Sequence, residues 1–143
     1  MKVLHVAFGH KYYVWALCDE DGTCQVMEKL KEVSRDHRDL VEPILALLNE
    51  VVPNEGPPLH DEYRAKRVYR DIIYELKADK TKNRNHFGMR VLFFFSSLEP
   101  VVVCTNAFSK SGNTPPEELD LALRERARFY EEHDQLEFEE PES

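Results

Sequence analysis

Two apolar runs dominate the chain. Val91–Phe95 and Val101–Cys104 are β-branched and aromatic almost throughout, and the turn-prone Ser96-Ser97-Leu98-Glu99-Pro100 separates them. Such a pair predicts a β-hairpin. Lys2–Phe8 and Tyr12–Cys18 are shorter runs of the same kind around Gly9-His10-Lys11, and Ile72–Lys77 reads as a further strand. Between these runs the period changes. Val26, Met27, Leu30 and Val33 recur at helical spacing, and Leu40, Val41, Ile44, Leu45, Leu48 and Val52 mark the broad apolar face of a second helix. Asp39 and Glu42 suit a capping box at its start, Pro43 fits only the first turn, and Pro53 with Asn54-Glu55-Gly56-Pro57-Pro58 ends it.

A last helix is predicted from Thr114-Pro115-Pro116-Glu117 onward. Thr114 is placed to accept from the Glu117 N–H, and Pro115 to sit where its missing donor costs nothing. Leu119, Ala122, Leu123, Arg126, Ala127 and Tyr130 share one face. Asp61–Arg70 fits a loop or a short helix, and Ala78–Phe87 an exposed basic loop. Beyond Glu131 the acidic composition predicts a frayed end.

Together these elements predict an α+β domain over residues 1–133 with an acidic tail at 134–143. The expected architecture is a small antiparallel sheet with an N-terminal helical pair packed on one face and a C-terminal helix. All helices are expected on the same face, leaving the other face, or a groove along it, for function. A chain of 143 residues suits a single core of this kind.

Charge changes the picture more than length does. The net charge of −8 argues against a plain nucleic-acid binder. Yet residues 61–112 carry 10 Lys/Arg against 6 Asp/Glu, whereas residues 113–143 carry 3 against 11. A polyanion responds to the field within a Debye length of ~8–10 Å, so a basic face on an acidic protein can still bind one. Cys18, Cys24 and Cys104 form no C-x-x-C and read as free thiols, which suits a reducing, cytoplasmic setting. Asp19-Glu20-Asp21-Gly22 lacks the spacing of a calcium loop and reads as a turn. The histidines lack metal-ligand spacing, so neither metal nor cofactor is implied, and no apolar run approaches the ~20 residues of a membrane span.

Four stretches in order carry a family likeness. Ile73-Tyr74-Glu75-Leu76-Lys77, Met89-Arg90-Val91-Leu92-Phe93-Phe94-Phe95, Ala107-Phe108-Ser109-Lys110 and Thr114-Pro115-Pro116-Glu117, with Ala122 and Arg126, resemble the HigB-like, phage-derived branch of the RelE/ParE toxin superfamily. The resemblance implies a compact α+β fold, a partner antitoxin of helix-turn-helix type, and ribosome-dependent cleavage of mRNA without a metal. It assigns catalytic roles to Lys77, Arg90 and Lys110. The chain departs from the pattern at Ser111, where a second lysine is usual, at Met89 in place of Tyr, and at Asn106-Ala107 in place of His-Gly.

The chemistry is coherent on physical grounds. Attack by a 2′-OH needs alignment, loss of a proton and stabilisation of the charged phosphorane. Arginine matches two phosphate oxygens with its planar fork, and a lysine beside other cations can move a proton near neutrality. Lys80, Lys82, Arg84 and His86 are candidate nucleic-acid contacts, and His86 is also a candidate acid or base. Plainer explanations stand beside each: solvated strand-end charges for Lys77 and Lys110, a cross-strand pair with Glu75 for Arg90, an ordinary hairpin connection for the basic loop. Three functions follow: an endoribonuclease toxin held by an antitoxin, a catalytically weak or inactive binding module, and a ParE-like topoisomerase inhibitor.

Overall fold

The computed structural model describes residues 1–56 and 65–139. The two dominant apolar runs become neighbouring strands, β5 (Asn85–Phe95) and β6 (Val101–Phe108). Every residue of β6 is buried, and β5 is buried from Gly88 to Phe94. Burial without alternation means that both faces of the sheet are covered at this point.

The remaining strands are β1 (Lys2–Phe8), β2 (Tyr13–Cys18), β3 (Ala65–Tyr69), β4 (Ile73–Lys82) and β7 (Glu137–Glu139). They form one seven-stranded sheet in the order β3-β4-β5-β6-β2-β1-β7. Pairing is antiparallel from β3 to β6 and between β1 and β2, but parallel where β2 meets β6 and β7 meets β1.

Helices cover both sides. On one side α1 (Gln25–Ser34), α2 (Arg38–Ala46), a π-helical turn (Leu47–Val51) and α3 (Val52–Glu55) pack Val26, Leu30, Ile44 and Leu48 on Val14, Ala16, Val91 and Phe93. On the other, α4 (Pro116–Glu131) packs Ala122 and Phe129 on Leu92, Phe94, Val101 and Val103. The expected small antiparallel sheet with every helix on one face, and with it the RelE/ParE-like arrangement, is therefore overturned. The N-terminal hairpin docks beside β6 instead of standing apart, which widens the sheet. The C-terminal helix takes the opposite face because alternate residues of β5 and β6 are apolar on both sides.

Local expectations shift for local reasons. Pro115 is the N-cap of α4 and Pro116 its first residue. Thr114 does not cap the helix; its hydroxyl donates to the Glu75 carboxylate. His37, not Asp39, precedes α2, and no side chain caps it. Ala78–Phe87 is no loop. It is the outer half of a regular β4–β5 hairpin that turns at Asn83-Arg84, both with positive φ. The stretch expected to fray contributes β7. Of the ambiguous Asp61–Arg70, residues 65–69 form the edge strand β3 and residues 61–64 lie outside the described part.

Candidate functional site

The three cations that the resemblance marks as catalytic arise from one corner of the sheet, where β4, β5 and the loop after β6 meet. Lys77 and Arg90 are register partners on β4 and β5. Lys110 lies two residues beyond β6, its N–H donating to Gly88 O at 3.0 Å.

Arg90 is 2% exposed. Its guanidinium grips both oxygens of Asp79, at 2.8 and 3.1 Å, and donates to Met89 O at 3.1 Å and Gly112 O at 3.2 Å. Its Nε lies 3.6 Å from Glu75, which is fully buried and also lies 4.0 Å from Lys66 Nζ. Neither that Nε nor Glu75 Oε1 has a hydrogen-bond partner, so their attraction is Coulombic. Bidentate grip on one carboxylate and Coulombic attraction to another leave Arg90 matched inside the protein.

The same network pins the loop from Ser109 to Thr114. Arg90 holds Gly112 O and Glu75 accepts from Thr114, while Gly88 lets the loop cross β5 at close range. A Cβ at Gly88 would lie 2.3 Å from Lys110 O and 2.6 Å from Asp79 Oδ1. The sequence assigns no site role to Asp79 or Gly88, and it offers Thr114 only as a helix cap. Asp79 fell in the stretch read as a loop, and only the extension of β4 to Lys82 brings it beside Arg90.

Among the recesses lined by described residues, none brings the three cations together. Lys77 lines a recess of about 310 Å³ with Asp39, Leu40, Pro43 and Lys80. Lys110 lines another of about 210 Å³ with His37, His86, Phe87 and Ser111. Arg90 lines neither of them.

The proposed nucleic-acid contacts fare differently. Lys82, Arg84 and His86 are exposed on the projecting hairpin, and Lys82 and Arg84 make no ion pair among the described residues. Thr81 Oγ1 lies 3.0 Å from His86 Nδ1 and fixes that ring. Lys80 is engaged: its ammonium donates to Asp39 at 2.7 Å and lies over the Phe87 ring. That hydrogen bond holds the Asp39 carboxyl below the usual range.

Other chemistry finds no support. Burial pushes the Cys18 thiol up to about 12 and raises Cys24 and Cys104 as well, so these thiols stay protonated and unreactive at neutral pH. Among the described residues no cluster of His, Cys, Asp or Glu could hold a metal, and no helix is long and apolar enough to cross a membrane. Comparison of the chain with family models, with curated proteins and with solved structures gives no match.

Proposed function

We propose that this protein is a binding module for a nucleic-acid backbone, which it engages through the outer half of the β4–β5 hairpin without cutting it. One contrast carries the reading: Lys82 and Arg84 stand exposed and unpaired among the described residues at the hairpin end, while Arg90 is enclosed by two carboxylates. Asn85 is five residues along β5 from Arg90, roughly 17 Å at strand rise. β7 and its carboxylates are four strands away from β5, on the order of 19 Å. Both separations exceed the ~8 Å Debye length, so the hairpin end keeps a basic local field within an acidic protein.

RNA is the form the family resemblance favours, in a cytoplasmic setting that also suits three free thiols. A ribosome-dependent endoribonuclease toxin checked by an antitoxin, and a topoisomerase inhibitor, draw on that resemblance alone. Cleavage in particular needs a cation free to meet the phosphorane, and Arg90 is not offered to one.

Induced expression with transcript mapping, alongside anisotropy titration of a labelled 12-nucleotide RNA, tests the proposal. Intact transcripts are expected, with RNA binding at 50 mM salt that the double substitution Lys82→Ala, Arg84→Ala weakens. Transcripts cut within codons, or no binding at 20 mM salt, would overturn it.

A further inference from the structure

The hairpin base holds a second feature that exposure alone does not explain. Two adjoining recesses, about 500 and 210 Å³, share His86, Phe87 and Ser111. Asp79, Lys80, Thr81 and Gly112 complete the first, and His37, Ser109 and Lys110 are among those bordering the second. We infer that these recesses together form a seat for one phosphate of a bound single strand, reading the backbone and not the bases. This inference rests on the binding role proposed above and names the subsite that role would use.

Charge around the seat favours an anion. Asp79 faces it, but both of its oxygens are taken by Arg90. Lys80 faces it and is paired with Asp39. Among the described residues, what is left uncompensated is the exposed Lys110 ammonium, which lines the recess with Ser109, Ser111 and His86, whose Nδ1 is held by Thr81. The seat is also held in shape before anything binds. The Lys110 backbone is tied to Gly88, Gly112 to Arg90, and Thr114 to Glu75. A loop already fixed by folding loses little entropy when a ligand arrives.

The aromatic content decides what is read. Base recognition on a single strand relies on open ring faces for stacking. Phe87 is the one phenyl ring on the lining. It is already engaged by His37, with centroids 4.6 Å apart and planes 35° apart, and by Lys80, 5.8 Å from its centroid. With that platform occupied, the lining offers the Lys110 ammonium, serine hydroxyls and imidazole nitrogens, and its phenyl ring is not open for stacking.

Anisotropy titrations of labelled U12 and A12 RNA and of T12 DNA across 50–200 mM KCl test this. U12 and A12 should bind within about threefold of each other, and Lys110→Ala should reduce the slope of log K against log salt by about 0.7, one single-strand phosphate contact. Ser111→Ala should weaken binding with the slope kept. T12 matching the RNAs supports reading of the phosphate alone, a preference for RNA supports reading of the phosphate with the sugar 2′-OH, and a tenfold preference between U12 and A12 overturns backbone reading. If Lys110→Ala leaves the slope unchanged while Lys82→Ala, Arg84→Ala lowers it, the seat is wrong and the hairpin reading stands. If neither changes it, the binding role itself fails.

Discussion

The inner and outer halves of the β4–β5 ladder are one continuous hairpin, yet they treat charge in opposite ways. In the inner half Glu75 and Arg90 are buried and matched to each other, to Asp79 and to backbone carbonyls. In the outer half Lys82, Arg84 and His86 stand in solvent, and Lys82 and Arg84 pair with nothing described. The difference lies in what covers each half. α4 and the pinned loop seal the inner face, whereas β6 ends opposite Arg90 and leaves the outer half without a neighbour on that side. A cation's position along a strand thus decides whether it serves the fold or a partner.

The sharpest way to break this comparison is to delete the buried cation. Arg90→Met should cost about 3–5 kcal/mol of stability in urea unfolding, because it leaves buried Glu75 with only Lys66 at 4.0 Å and the Thr114 hydroxyl, and strips Asp79 of its partner. Adding Glu75→Leu should restore most of that loss, since replacing both charges by apolar groups removes the stranded carboxylate. A cost near zero for the single substitution would mean the inner network is as dispensable as the outer charges.

Gly88→Ala comes next. The new methyl meets Lys110 O and Asp79, and displacing the pinned loop should cost about 1–3 kcal/mol, read from the same unfolding curves.

Alkaline titration gives a smaller effect that belongs to neither half of the ladder. The folded thiols of Cys18, Cys24 and Cys104 are raised above their unfolded value near 9, so they keep protons that the unfolded chain loses. Their contribution is complete below pH 9 and falls as pH rises, for Cys18 until about 12. Unfolding midpoints measured from pH 8 to 10.5 should decline, and less steeply in Cys104→Ala.

The smallest stability change should come from the outer half. Lys82→Ala with Arg84→Ala is expected to shift stability by less than about 0.5 kcal/mol, since neither side chain is buried or paired. Asp39→Asn should sharpen the contrast further by freeing Lys80, raising RNA affinity at low salt in the same anisotropy assay.

The apolar strands β1, β2 and β6 and the inner halves of β4 and β5 were legible in the sequence because β-branched and aromatic runs have few alternatives; β3, β7 and the sheet order were not. Val101–Cys104 is apolar at every position, a pattern that belongs to a strand covered on both faces, whereas a sheet with all helices on one side would leave one of those faces open. The β2–β6 pairing joins Tyr13 to Val101, and no local pattern reports a partner that distant. The hairpin end was misread for another reason. Thr81 to Asn85 alternates nothing, since both faces are wet there, and period-2 patterning vanishes where burial does. The pairing of Arg90 with Glu75 was readable as the plainer alternative, and it is what the structure contains, strengthened by Asp79.

The parallel pairing of β7 with β1 has a consequence for how the protein is made. Val3 meets Phe138, so β1 waits for residues synthesised long after it before its outer edge is closed. During that interval β1 presents unsatisfied backbone groups, the kind of template on which nascent chains pair with one another. Long-range closure of this sort also slows folding. Slow synthesis or crowded expression should therefore penalise yield more than the stability of the finished protein would indicate.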